Sequence, residues 1–234
     1  MLYLLQSLFI NNWGVLRIFK SITIRASIAF IIAFVFMLIF GKPFIKWLKK
    51  KKYGDTAREE GPQSHFSKSG TPTMGGLLII GAIIFSTLIA GNFTNKFIIF
   101  LFIITILFTT IGFYDDYLKL TKHKNGLSGK KKILGQFIIT GLTFAFICKY
   151  GVINKTLDFS IVNPIIKGSF LYITPVLFFV FMLFVIIGSS NAVNLTDGLD
   201  GLVSGPIIVV SVTLLIITYL TGHYEYAKYL NLYY

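Results

Sequence analysis

Six long stretches of this chain are almost wholly apolar, at residues 22–40, 74–90, 97–113, 133–148, 170–187 and 202–220, with short polar segments between them. Each approaches the ~20 residues needed to cross a hydrocarbon core of about 30 Å. Backbone polar groups in lipid must satisfy one another, so these stretches are predicted to be helices. A closed barrel would alternate polar and apolar positions, and runs such as FIIFLFIITILF do not. The predicted fold is an all-α, polytopic membrane bundle forming a single domain over residues 1–234. Pro175 lies inside the fifth stretch, which predicts a kink there, and Pro206 lies near the start of the sixth.

Composition agrees: 55% of residues are hydrophobic and 13% charged, about half the charge of an ordinary soluble domain. The net charge of +13 suggests nucleic acid until its placement is considered. Fourteen of the 22 Lys and Arg residues fall in segments 41–73 and 114–132. Short cytoplasmic loops of membrane proteins carry such an excess. These two loops are therefore expected on the cytoplasmic side, with the amino terminus outside and no nucleic-acid partner. Span counting puts segment 188–201 on the cytoplasmic side too, although it has no Lys or Arg. Residues 1–21 lack a basic leader and a small-residue cleavage site, so they read as an outward-facing amphipathic lead-in. Cys148, the single cysteine, forms neither an internal disulfide nor a metal site.

The polar segments carry the candidate chemistry. Asp115 and Asp116 directly follow an apolar run, and Lys119 stands at i+4 and i+3 from them. If the helix continues one more turn, both carboxylates reach Lys119. Adjacent carboxylates repel, and a divalent cation or a basic partner relieves this; hard oxygen ligands suit Mg²⁺. A solvated helix end with an ordinary lysine partner fits the spacing equally well. In segment 188–201, Asn191, Asn194, Asp197 and Asp200 recur every third residue, while Gly198 and Gly201 favour an irregular backbone. Polar groups wedged between apolar spans are usually functional, although turn and capping roles are the simpler alternative. In segment 41–73, turn formers deliver Lys68, Thr71 and Thr73 toward the second span, and Gly75 and Gly76 permit close approach by a ligand or a helix. His65 reads as a loop or interface residue. Lys130, Lys131 and Lys132 are juxtamembrane anchors, one of which is available to a phosphate. Together these features suggest a cytoplasmic-facing enzyme handling phosphate at the bilayer surface.

The motifs GPQSH, GTPTMGG, DDYLK, GLSGKKKILGQ and NAVNLTDGLDGL, in this order, resemble the polyprenyl-phosphate N-acetylhexosamine-1-phosphate transferases. Among these they resemble the phospho-N-acetylmuramoyl-pentapeptide-transferase branch, from about residue 22 onward. The resemblance implies transfer of phospho-MurNAc-pentapeptide from UDP-MurNAc-pentapeptide to undecaprenyl phosphate, giving lipid I and UMP, in the bacterial cytoplasmic membrane. Mg²⁺ is the implied cofactor, membrane lipid the surroundings, and a homodimer a possible assembly. Asp115 and Asp116 match a pair proposed to act on the lipid phosphate as base or nucleophile, and Asp197 matches an essential position near the metal and diphosphate. These three are the candidate catalytic and metal residues. Lys68, Asn194 and Asp200 match positions at or near the nucleotide site, and Lys119 and one of Lys131 or Lys132 match basic positions around the phosphates. Thr73, Asn191 and Gly198 complete the candidate substrate-binding set. The family has about ten spans; six are found here, the amino-terminal two thirds, with the family's main metal aspartate and a His-rich loop expected beyond Tyr234.

Three other readings stand beside this one. A related polyprenyl-phosphate GlcNAc-1-phosphate transferase shares most of these motifs. A truncated, inactive membrane remnant is consistent with the missing spans. A transporter predicts charges near mid-bilayer, and apart from Arg25, close to an end of the first span, the apolar stretches carry none.

Overall fold

The apolar stretches become helices whose ends do not all coincide with the apolar boundaries. The computed structural model describes residues 2–3, 14–51, 73–121, 126–152, 159–162, 170–197, 201–230 and 232. His65, Lys68, Thr71, Gly198 and Asp200 lie outside them. Two units, Met1–Lys132 and Ile133–Tyr234, are described in turn.

In the first unit, a 3₁₀ turn at Gly14–Lys20 leads into α1 (Ile22–Lys50). Its 29 residues span about 44 Å, so the end bearing Lys42, Lys46, Lys49 and Lys50 extends beyond a hydrocarbon core. Pro43 sits inside this helix and has no N–H for the Ile39 carbonyl. Arg25, in the first turns of α1, donates from Nη1 to the Phe19 and Lys20 carbonyls at 2.6 and 2.9 Å, and its guanidinium lies over the Tyr3 ring. The charge is thus spent capping the preceding turn.

Helix α2 (Gly76–Ala90) packs on α1, and its buried side chains are all small. Ala82, Ser86 and Ala90 recur every fourth residue and are all buried, a spacing that lets helix backbones approach in lipid. Phe36 of α1 meets Phe85 beside that stripe. Among the described residues, nothing lies within 4 Å of a Cβ built at Gly75 or Gly76, so close packing of α1 on α2 does not require either glycine.

Helix α3 (Lys96–Thr121) carries four threonines whose hydroxyls bond back to their own helix, from Thr105, Thr109, Thr110 and Thr121 to the carbonyls four residues earlier. Hydroxyls in an apolar setting are satisfied without any partner from another helix.

The second unit contains most of α4 (Gly129–Phe146), whose first turn belongs to the first unit; the helix ends in a wider π-type turn, Ile147–Val152. A short antiparallel ribbon follows, β1 (Ser160–Val162) with β2 (Phe170–Tyr172), in the register Ser160 opposite Tyr172. Residues 170–172, expected in a span, are therefore strand. Helix α5 (Pro175–Thr196) begins at the proline, so Pro175 opens the helix and does not kink it. The residue before a proline is pushed to extended backbone, and proline suits the first helical position. Thr174 is extended, with φ −66° and ψ 152°, and its hydroxyl accepts the Leu177 N–H. That bond is exposed and 3.3 Å long. Thr174→Ala is expected to cost about 0.5–1 kcal/mol, the low end for an N-cap, read as a small drop in the thermal unfolding midpoint in detergent.

Helix α6 (Ser204–Thr221) has no buried residue, and the short α7 (Tyr224–Leu230) packs on it. Large apolar side chains, among them Phe30, Phe184 and Leu195, lie on the outside of their helices. In water such a surface would drive aggregation; in lipid it is the solvated surface. Among the described residues, five helices, α1, α3, α4 with its turn, α5 and α6, are long and apolar enough to cross a membrane, and α2, expected as a sixth span, is a shorter apolar helix of 15 residues. The chain is a multi-pass, all-α membrane protein.

Candidate active site at the end of a membrane helix

The last two turns of α3 leave the apolar stretch at Phe113 and carry Asp115, Asp116 and Lys119. The helix does continue, and Lys119 reaches both carboxylates, Nζ lying 2.9 Å from Asp115 Oδ2 and 3.2 Å from Asp116 Oδ1. The two acids differ sharply in surroundings: 8% of the Asp115 side chain is exposed, against 34% for Asp116. What covers Asp115 is the chain beyond the helix. The Leu127 N–H donates to Asp115 Oδ1 at 2.7 Å, tying the start of α4 back to α3. Gly126 adopts φ +68°, and a Cβ there would lie 2.6 Å from Asp115 Oδ1 and 2.9 Å from Cγ and Cε of Lys119. Only glycine lets the backbone pass so close in that conformation.

Burial alone would raise the Asp115 carboxyl. The Leu127 amide, the Lys119 ammonium and, at longer range, Lys132 outweigh it and hold the group below its usual value. Burial of Lys119 works against its charge, and the two aspartates outweigh that too. Asp115 and Lys119 are therefore held as an ion pair. Lys132 is the member of the lysine run that acts on Asp115, while Lys131 is exposed.

Asp115 has committed Oδ1 to an amide and Oδ2 to Lys119, so Asp116, the more exposed of the pair, is the better placed to meet a cation or a phosphate. Mg²⁺ commonly takes one or two carboxylates and fills the rest of its shell with water and substrate phosphates. The acidic pair suits such partial coordination. Among the described residues no three His, Cys, Asp or Glu side chains gather as a full metal cage.

In the second unit, α5 carries Asn191 and Asn194 and ends at Asp197, the C-cap residue. Asp197 is exposed and adds a negative charge where the helix carbonyls already point outward, with no basic residue in the last turn. Helix dipoles disfavour that arrangement, and a cation relieves it. Asn194 is exposed, whereas Asn191 is half-buried and donates from Nδ2 to Gln136 Oε1 and to the Ile187 carbonyl, both at 2.8 Å. Thr73 is half-buried beside Met74, which holds φ +69°, a backbone state unusual for a non-glycine residue and most frequent where function demands it.

Sequence reasoning missed two participants. The Leu127 amide belongs to the main chain and has no side-chain signature. Gln136 had one: it is the lone amide in the apolar run 133–148, four residues before Thr140 on the same helix face.

Membrane helices with an adjacent acidic pair bound to a lysine at a helix end describe a known class, and residues 97–233 match glycosyl transferase family 4. The chain belongs to that family. Residues 68–80 further match signature 1 of phospho-N-acetylmuramoyl-pentapeptide-transferase. Proteins of that name are similar to it: one from Fusobacterium nucleatum is 46% identical over 94% of this chain, one from Leptospira biflexa 41% over 95% of this chain, and one from a Ruegeria species 40% over the whole of this chain. The chain spans 61%, 62% and 64% of the length of these three relatives, respectively.

Proposed function

We propose that the chain takes part in transfer of phospho-MurNAc-pentapeptide from UDP-MurNAc-pentapeptide to undecaprenyl phosphate, giving lipid I and UMP for peptidoglycan synthesis. The observation that carries this reading is the Asp115–Asp116–Lys119 cluster at the polar end of a membrane helix, in a chain bearing the signature at residues 68–80. In the reaction, an oxygen of the lipid phosphate replaces UMP on the phosphorus joined to the sugar. Asp116, with Asp115 behind it, takes up the proton or the positive partner of the lipid phosphate. Lys119 and Lys132 stabilise negative charge as the P–O bond to UMP breaks. Lys68, Thr73, Asn194, Gly198 and Asp200 are proposed to hold the nucleotide portion, and Lys131 to meet headgroup phosphate. Mg²⁺, held by Asp116 with Asp115 or by Asp197, would supply charge neutralisation on the diphosphate. The reaction is placed on the inner face of the bacterial cytoplasmic membrane, and pairing of two copies is compatible with it.

Membranes carrying the protein, given undecaprenyl phosphate, are expected to release UMP from UDP-MurNAc-pentapeptide and not from UDP-GlcNAc. EDTA should stop the reaction and added Mg²⁺ restore it. Turnover of UDP-GlcNAc alone would move the chain to a GlcNAc-1-phosphate transferase, and release from neither donor would overturn the reading.

A further inference from the structure

Gln136 is the most deeply buried amide among the described residues, 1% exposed, in the apolar part of α4, where the other polar side chains are Thr140 and Thr143. Every polar atom of its side chain is engaged by α5: Oε1 accepts from Asn191 Nδ2 at 2.8 Å, and Nε2 donates to Ser190 Oγ at 3.1 Å. Thr140, fully buried one turn on, returns its hydroxyl to the Gln136 carbonyl at 2.8 Å. Phe137 and Phe144 of α4 pack on Phe179 of α5 further along, with ring centroids 5.9 and 5.1 Å apart. Aromatic contacts tolerate sliding and rotation; a pair of directed amide bonds in an apolar setting does not. The amide pair therefore sets the rotation and axial register of α5 against α4. Asn191 lies three residues before Asn194 and six before Asp197 on the same helix, about 9 Å from its end. A rotation of α5 at Asn191 re-aims both residues.

We propose that Gln136 is a positioning residue: through Asn191 and Ser190 it orients the end of α5 that presents Asn194 and Asp197, and Asn191 serves this clamp and does not touch substrate. The inference rests on the transferase reading for its kinetic consequence, but the clamp itself can be tested without turnover.

The full chain is used in native membranes, with Cys148→Ser so that a single engineered thiol can be followed. With Asp197→Cys, labelling by a membrane-impermeant maleimide reports the setting of the α5 end. Gln136→Leu is expected to change that labelling rate by about fivefold or more. The exchanged pair Gln136→Asn with Asn191→Gln, which keeps two facing amides of the same combined length, should return it to within about twofold. In the protein retaining Asp197, Gln136→Leu should lower kcat by about 10²-fold, the scale of an ångström-sized misplacement. It should also raise the Mg²⁺ concentration needed for half-maximal activity, and leave the KM for undecaprenyl phosphate in place. The exchanged pair should recover kcat to within about tenfold. Where Gln136→Leu fails to insert, Gln136→Met, which keeps the length of the side chain and removes both the acceptor for Asn191 and the donor to Ser190, takes its place in both assays. Unchanged labelling in the Gln136 variants overturns the clamp. Altered labelling with kcat and Mg²⁺ requirement intact overturns the positioning role. An exchanged pair restored in labelling but not in kcat would assign Asn191 to the substrate and overturn that part of the proposal. Absence of UMP release by the unaltered protein would strike the transferase reading alone and leave the labelling result standing.

Discussion

Asp115→Asn is expected to abolish transfer while leaving the helices inserted, a loss of about 10²–10³-fold, the range associated with removing one preorganised electrostatic group from a site. The substitution nearly preserves shape. Asparagine offers an oxygen for the Leu127 N–H in place of Oδ1, 2.7 Å away, so the tie between α3 and the start of α4 is weakened and not severed. Lys119 keeps Asp116 as its partner at 3.2 Å. What disappears is the buried negative charge that faces Lys119 and Lys132. Without it the two lysines pull on Asp116 and on incoming phosphate oxygens with nothing behind to balance them. The measurement is UMP release from membranes matched for protein content, together with protease protection of the loops as a check of insertion. Turnover within a few fold of the unaltered protein would remove Asp115 from the chemistry and leave it a structural tie.

Much of this arrangement can be read from the chain. Hydrophobic runs locate the membrane helices because lipid leaves the backbone no other option, and the i, i+3 and i+4 spacing of Asp115, Asp116 and Lys119 needs only one more turn to bring them together. The ends of the helices are harder. Apolar count placed residues 170–172 in a span, while the local backbone is decided by Pro175, which forces Thr174 into extended geometry and moves the helix start to itself. The reverse holds for α1, where the helix continues through Pro43. Within the site, side-chain chemistry marked the acids and lysines but not their division of labour. That division comes from a main-chain N–H at Leu127, inside the motif GLSGKKKILGQ but carrying no side-chain signature of its role. Asn191 shows the opposite failure: its spacing with Asn194 and Asp197 grouped it with outward-facing residues, yet it turns toward Gln136. An i, i+3, i+6 series drifts around a helix by 60° at each step, so its first and last members need not share surroundings.

Gly126→Ala is expected to damage transfer nearly as much as loss of the acid itself, although it changes no chemical group. Two costs coincide at this position. An alanine at φ +68° sits in left-handed backbone that disfavours L side chains by about 1–2 kcal/mol. Its Cβ would also stand 2.6 Å from Asp115 Oδ1 and 2.9 Å from two carbons of Lys119. The lysine chain is flexible and can move aside, but Asp115 Oδ1 is held by the neighbouring Leu127 amide and cannot retreat without breaking that bond. The cheaper escape is for the backbone at 126–128 to lift away, which uncovers Asp115 and lets water screen its pairing with Lys119. Transfer should fall by about 10²-fold, as for other small displacements of reacting groups, with membrane insertion unaffected. Gly126→Asn separates the two costs, because asparagine accepts left-handed backbone more readily but brings the same Cβ. If backbone preference dominates, the asparagine variant recovers most of the activity; if the contact with Asp115 dominates, it stays as impaired as alanine, and the distances favour the second outcome. Alanine at full activity would mean that Asp115 does not need its cover from the Leu127 segment, and the separation of a shielded Asp115 from an outward Asp116 would then have no part in catalysis.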